Sequence, residues 1–291
     1  MKVSVIIPSR NERHLSKTIK DVLEKATGEI EVIAVLDGHT DYPLPAEHPY
    51  LRVIQKDSPE GMRSAINTGV DFAKGKFIMK VDGHVALSEG FDEVLQADCA
   101  DNWIVSARRF NLVTDTWDKD TKEPVDYFYY ACPWNNSQHY ILQSCPWVSR
   151  TRERTEISLD EQMTIHGAMW FTEKQFYDRI GRMTNEGWGG FAGEPMELGF
   201  KTWLGPWSGK MMVNKNVWYA HPRESTAGYS VRSTGMMEGL IYSSHYWVEN
   251  KWEGRVQDFN WLVKKFWPLP TTKHHCNAEK YLWPEDYDRT L

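Results

Sequence analysis

A chain of 291 residues is long enough to bury one large core, as a single α/β domain or a domain with a subdomain. With 25% charged and 41% hydrophobic residues it has the composition of a globular protein, and a net charge of −6 excludes a global attraction to nucleic acid or to an anionic membrane. No run approaches the roughly 20 apolar residues of a membrane helix, and apolar Val3–Ile7 is too short for a signal-peptide core.

The first hundred residues alternate strand and helix. Val3–Pro8 is a continuous apolar run suited to a parallel strand covered on both faces. Ser16–Ala26 places Ile19, Val22 and Leu23 on one side of a helix. Ile30–Leu36 reads as a second buried strand, closed by Asp37-Gly38, and Leu51–Gln55 as a third. Gly61–Ala73 is a helix with Ala65, Ile66, Gly69, Val70 and Ala73 inward. Lys76–Lys80 alternates like a half-buried strand, and Phe77–Val81 leads into Asp82-Gly83-His84. This succession predicts an α/β fold with a mainly parallel twisted sheet and ligands at its carboxyl ends, where Asp37, Asp82 and His84 fall.

From Asn102 to about Asp160 the pattern degrades into an irregular, acceptor-specific region. Trp103–Ala107 reads as a strand, Asp115–Lys122 is polar, Tyr127–Tyr130 is an aromatic block, and Arg150, Arg152 and Arg154 crowd one segment. Regularity returns with a strand at His166–Phe171, helices at Thr172–Ile180 and Glu194–Trp203, a strand at Met211–Tyr219 that delivers His221, and a helix at Gly235–Lys251. The expected division is a catalytic domain over 1–252, with 1–101 as nucleotide-binding half and 102–252 as acceptor-binding half and lid, and a C-terminal aromatic extension over 253–291 packed on it. The 14 Trp divide between stacking surfaces and core. Four irregularly spaced cysteines (Cys99, Cys132, Cys145, Cys276) indicate reduced thiols and a cytoplasmic location. The repeated Cys-Pro-Trp at 132 and 145 leaves a Cys132–Cys145 disulfide open.

An Asp and a His two apart at a strand end can aim at one divalent cation, which a distant His completes; Asp82, His84 and His221 are that set. Mixed oxygen and imidazole ligation suits Mn2+ better than an all-oxygen shell. The alternative is that His84 caps a turn and His221 packs. Trp188-Gly189-Gly190 can give a sugar an aromatic wall on a flexible backbone. Arg223 can reach a diphosphate if His221–Thr234, which holds Gly228 and leads to Gly235, closes as a lid. Arg108-Arg109 and Arg150–Arg154, interleaved with Trp134, Trp147 and Tyr127–Tyr130, suit a nucleic acid with a flipped base. The alternative pairs these arginines with Asp115, Asp118, Asp126 and Glu153 and gives the aromatics to sugar.

Several segments, in order, carry a resemblance. Val3-Ser4-Val5-Ile6-Ile7-Pro8-Ser9-Arg10-Asn11-Glu12 resembles the opening strand and turn of the family-2 glycosyltransferases of GT-A fold, and so puts Pro8, Arg10 and Glu12 at the donor. Val35-Leu36-Asp37-Gly38-His39-Thr40-Asp41 resembles their Asp-Asp-Gly-Ser-Thr-Asp segment, with Asp37 on the uracil-contacting Asp; a turn-forming Asp before Gly38 is compatible with that role. Glu60-Gly61-Met62-Arg63-Ser64-Ala65 resembles the glycine-led helix beside the diphosphate, where Arg63 meets phosphate or else lies solvated on the surface. Asp82-Gly83-His84 resembles the Asp-x-His metal motif of the polypeptide N-acetylgalactosaminyltransferase branch. Gly193-Glu194-Pro195-Met196-Glu197-Leu198 resembles its Gly-Glu-Asn-x-Glu segment, and His221 its third ligand.

The likeness covers roughly residues 3–250. It implies a Rossmann-like GT-A fold, a UDP-sugar donor, Mn2+ or Mg2+, and Glu194 on sugar or acceptor hydroxyls. Where many inverting members have Glu-Asp with the Asp as base, this chain has Glu194-Pro195, which points to retention unless Glu197 supplies a base. The expected acceptor is a hydroxyl: a hydroxymethylated DNA base, since a stand-alone transferase without lectin domain or anchor resembles the phage enzymes of that type, or a glycan or protein. A binding protein that lost catalysis and a nucleotidyltransferase are readings of other classes. The first requires disrupted donor motifs, of which only Pro195 is a sign. The second requires a Gly-rich basic loop after the first strand, where Ser9-Arg10-Asn11-Glu12 stands.

Overall fold

The apolar runs of the N-terminal half form the middle of one large sheet in the computed structural model, which describes residues 2–135, 140–191, 193–223, 230 and 235–270. In chain order the elements are β1 (Val3–Ser9), α1 (Leu15–Lys25), β2 (Ile30–Leu36), β3 (Leu51–Gln55), α2 (Met62–Phe72), β4 (Phe77–Val81), β5 (Ala86–Leu87), α3 (Phe91–Asp98), β6 (Trp103–Val113) and β7 (Asp118–Lys119). There follow β8 (Phe128–Asn135), β9 (Tyr140–Pro146), α4 (Val148–Glu153), β10 (Leu159–Glu161), β11 (Met169–Glu173), α5 (Lys174–Arg179), α6 (Glu194–Leu204), β12 (Lys210–His221), α7 (Met236–Val248) and α8 (Phe259–Lys265).

The sheet runs β10-β12-β6-β11-β4-β1-β2-β3, with β5 on β12 and β7 on β6. β3, β2, β1 and β4 are parallel; β11 runs against β4 and β6, and β12 is parallel to β6. Only β10 and β11 on this path therefore oppose the rest. The consequence is geometric. The carboxyl ends of β1, β2, β4 and β12 share one edge, and β11, running the other way, starts from that same edge. Residues far apart in sequence are brought to one rim.

Two sequence expectations change. Phe77–Val81 is not half-buried: every residue is buried, and Lys80 is only 1% exposed. Its alternation is misleading because Lys80 lies among carboxylates rather than in water. The region 102–160 is not irregular. β6 continues to Val113, and β8 and β9 form a two-stranded antiparallel sheet. Tyr127, Phe128, Tyr129, Tyr130 and Trp147 are buried, so they are core and not a stacking platform. Trp170, Trp188, Trp203 and Trp247 are also buried. The side chains of Cys132 and Trp134 lie outside the described residues, and with them the Cys132–Cys145 pairing. α3 and α8 are additions to the elements read from sequence. Phe259, Leu262 and Val263 of α8, with Phe266 just after it, share one apolar cluster with Leu198, Phe200 and Trp203 of α6, so residues to 270 complete the main core.

One buried acid sets a pH dependence. Asp21 on α1 accepts a hydrogen bond from the Leu87 amide of β5 at 2.8 Å and is 8% exposed. Burial pushes its carboxyl up to about 6, against the Leu87 hydrogen bond, which lowers it. The folded chain thus holds more protons than the unfolded chain between the ordinary carboxyl range and about pH 6, and stability falls as pH rises through that window. Asp21→Asn keeps the acceptor and removes the ionisation. It is expected to raise unfolding stability near neutral pH by about 1–3 kcal/mol, with the gain vanishing toward about pH 4, in urea melts at the two pH values.

Candidate active site

A cavity of about 520 Å³ opens at the shared rim, a size suited to a small-molecule ligand. Pro8 and Arg10 from the end of β1, Asp37 from β2, Asp82 from β4 and His221 from β12 line it. His166-Gly167-Ala168, leading into β11, and Glu194-Pro195, opening α6, close the far side.

Asp82, His84 and His221 converge there, with one potential ligand atom from each lying within 4.8 Å of the others. Asp82 Oδ2 is 3.3 Å from His221 Nε2 and 4.0 Å from His84 Nε2, and the two imidazole nitrogens are 2.9 Å apart. His84 Nδ1 faces Glu12 Oε2 at 2.9 Å. A ring that donates from Nδ1 to a carboxylate keeps its Nε2 lone pair for a ligand. Although burial favours the neutral acid, the Lys80 ammonium and His221 hold Asp82 far below the ordinary carboxylate range. Burial lowers His221 despite the nearby Asp82. An ionised carboxylate and neutral imidazoles are the protonation states that bind a cation. Two lone pairs 2.9 Å apart repel, so the group is stable only with a proton or a cation among its atoms. The donor set fits a divalent metal of the Mn2+ type.

Beside it one buried ammonium joins the half-buried Asp82 to the buried Glu194. Lys80 Nζ donates to Asp82 Oδ1 at 2.6 Å, to the Gly167 carbonyl at 2.8 Å and to Glu194 Oε2 at 3.2 Å. Trp170 Nε1 donates to Glu194 Oε1 at 2.5 Å. Burial raises the Glu194 carboxyl above its ordinary value, a rise that Lys80 opposes. Asp37 is nearly inaccessible and accepts from the amides of Glu60 at 2.8 Å and Gly61 at 2.9 Å. It thereby fixes the turn into α2. Gly61 has φ +98°, and a Cβ there would meet the Gly190 carbonyl oxygen at 2.7 Å, so only glycine fits.

Other expected site residues lie elsewhere. Arg63 does not face phosphate or solvent: it is 2% exposed, forms an ion pair with Glu197 and stacks under Trp188 at 4.9 Å. Glu197 is fully buried with Arg63 and Lys201 and does not line the cavity, which removes it as a base. Trp188 packs against Tyr242, Tyr246 and Trp247, so it offers no open wall, and Gly189 does not line the cavity; Phe191 does. Arg223 lines the cavity and is exposed. Most of the expected lid, including Gly228, lies outside the described residues.

Most of the expected arginine cluster is accounted for. Arg108 pairs with Asp126, Arg152 with Glu123 and Arg154 with Asp160, while Arg150 stacks on Tyr127 and Trp147. Arg109 is the exception: its Nε is buried without a hydrogen-bond partner among the described residues.

Sequence reading missed Lys80, His166 and Phe191. A lysine inside an apolar strand was the available signal for Lys80; His166 sat in a stretch read only as strand.

Comparisons with known proteins bear on the family and the fold. The family model described as Glycosyl transferase family 2 matches residues 4–156. Putative polypeptide N-acetylgalactosaminyltransferase 9 of Drosophila melanogaster is 26% identical over 222 residues, covering 70% of this chain and 33% of its own. Glycosyltransferase GlyG of Streptococcus pneumoniae is 29% identical over 100 residues, covering 32% of this chain and 33% of its own. The crystal structure of GalNAc-T7 with UDP, GalNAc and Mn2+ superposes with a TM-score of 0.64 at 17% identity, covering 86% of this chain and 49% of that one. The chain thus spans about a third of the length of these curated relatives and about half of that solved chain.

The Asp37 geometry carries its own test. Asp37→Asn turns an amide group toward one of the two backbone donors and leaves that donor unpaired. The variant is expected to lose about 1–3 kcal/mol of unfolding stability by chemical denaturation, with no ligand present.

Proposed function

The chain belongs to glycosyl transferase family 2, and from that premise we propose that it moves a sugar from a UDP-sugar to an acceptor hydroxyl, with a divalent cation held by Asp82, His84 and His221. The observation that carries this reading is the convergence of those three side chains at the rim of the cavity. GalNAc-T7, described with UDP, GalNAc and Mn2+, supports the donor and the metal, and the N-acetylgalactosaminyltransferase relative supports the sugar class.

Sugar transfer needs a held donor, a neutralised leaving diphosphate and a positioned acceptor. A bound Mn2+ or Mg2+ offsets charge on the diphosphate as a Lewis acid. The chain's own residues do the rest. Glu12 orients His84, and Lys80 orients Asp82. Asp37 holds the turn ahead of α2 against the donor. Pro8 and Arg10 border the nucleotide, Arg223 stands where a diphosphate would pass, and Glu194 borders the sugar.

Retention is the outcome we favour. Each acidic side chain lining the cavity is already engaged: Glu12 with His84, Asp37 with two amides, Asp82 with Lys80, and Glu194 with Lys80 and Trp170. Pro195 stands where a base would follow Glu194. For the acceptor, a glycan or protein hydroxyl is favoured over a DNA base, because Arg108, Arg152 and Arg154 are matched by carboxylates and Arg150 is stacked on buried rings. The preserved metal set and cavity argue against a catalytically inactive binding protein. No helix among the described residues is long and apolar enough to cross a membrane.

A panel of UDP-sugars with Mn2+, read by UDP release and by mass spectrometry on glycan, peptide and hydroxymethylcytosine DNA acceptors, tests the proposal directly. His221→Ala is expected to cut turnover by at least about a hundredfold while leaving circular dichroism and melting intact; unchanged turnover would sink the assignment. Glu12→Gln removes the carboxylate behind His84 and is expected to weaken Mn2+ binding by about 10–100-fold in calorimetric titration.

A further inference from the structure

We propose that Lys80 is a positioning residue of this site, whose ammonium ties Asp82, the Gly167 carbonyl and Glu194 into one wall so that Asp82 meets the cation through Oδ2 alone. The inference rests on the cation reading above.

An ammonium has three N–H donors and no acceptor. Lys80 has three acceptors: Asp82 Oδ1 at 2.6 Å, Gly167 O at 2.8 Å and Glu194 Oε2 at 3.2 Å. No proton remains for a phosphate or sugar oxygen, so Lys80 acts through its partners. Those partners sit on three different pieces of chain: the end of β4, the turn before β11 and the first residue of α6. Each piece also lines the cavity.

The sheet itself does not require a lysine. Ile78, Met79 and Val81 around it are apolar and buried, and a methionine would fill such a position without desolvating a charge. What the lysine adds is direction. With Oδ1 held, Oδ2 is the oxygen left beside His221 and His84, at 3.3 and 4.0 Å. Gly167 turns its carbonyl inward at φ +95°, where an added Cβ would meet Pro195 Cγ at 2.9 Å. The loop, the helix start and the metal-facing carboxylate are therefore set by one side chain.

The test separates position from charge. In the Lys80→Met/Glu194→Gln double variant one positive and one negative charge leave together, so the formal charge beside the cation is unchanged while the ties to Asp82, the Gly167 carbonyl and residue 194 are lost. Mn2+ titration without donor, followed by electron paramagnetic resonance of the free ion, is expected to show roughly tenfold or greater weakening against wild type, with thermal unfolding still cooperative. Equal affinity in the two proteins overturns the proposal. A wild-type protein that takes up no Mn2+ overturns the cation reading beneath it, and this proposal with it. Should the double variant not fold, wild-type protein carrying 15N-lysine decides. One ammonium is expected whose protons exchange with water far more slowly than those of surface lysines, before and after Mg2+ is added. Uniformly fast exchange, or slow exchange lost on adding Mg2+, overturns the assignment.

Discussion

A half-buried carboxylate at the end of a central strand is compensated from several directions at once, and Asp82 is the group on which the site depends. Hydrogen-bonding contacts run in a line from Glu12 through His84 and His221 to Asp82, and on through Lys80 to Glu194. Inside a protein such contacts polarise one another, and an unmatched member costs far more than it would in water. The line holds three carboxylates and one ammonium. Asp82 and Glu194 share that ammonium, and the two imidazoles meet Asp82 at its other oxygen.

The sheet topology makes this line possible. Parallel strands deliver Asp37 and Asp82 to one edge, because crossovers through α1 and α2 return the chain to the opposite edge before β2 and β4 begin. β12 brings His221 to the same edge from the opposite half of the sheet, alongside β6. The reversal at β11 matters as much. An antiparallel strand beside β4 begins at the rim, so its preceding turn, with His166 and Gly167, faces Asp82 rather than the far side of the molecule.

The N-terminal half of this arrangement was legible in the residues. Val3–Ser9 and Ile30–Leu36 are predominantly apolar, as suits parallel strands covered on both faces, with Ser4 and Glu31 hydrogen-bonded to each other. Asp82-Gly83-His84 was legible as a pair because strand geometry sets the spacing. What failed were roles that depend on side-chain direction. Arg63 looked like a phosphate ligand from its place at a helix start, but on α2 it points inward to Glu197, a partner 134 residues away that no local pattern announces. The stretch from 102 to 160 looked irregular because its strands carry aromatic and charged residues on faces covered by other elements. Asp126 beneath Arg108 and Asp160 beside Tyr127 supply the pairing that makes such strands tolerable in a core. Cross-sheet partners of this kind are invisible to periodicity.

The buried charges together explain why one place should attract a cation and others should not. Glu197 is enclosed by Arg63 and Lys201, and Asp126 by Arg108 and Lys215. In both, at least one cationic side chain accompanies each carboxylate, and the cluster is electrically closed. At the rim of the cavity the two carboxylates of Asp82 and Glu194 share the one ammonium of Lys80, while Glu12 faces His84 and burial keeps His221 from supplying a second positive charge. Removing charge from water is tolerated only where an opposite charge arrives. The molecule supplies it around Glu197 and Asp126 and, among the described residues, leaves two carboxylates on one ammonium where the ligand atoms of Asp82, His84 and His221 converge. A divalent ion completes that balance with the coordination chemistry those atoms prefer.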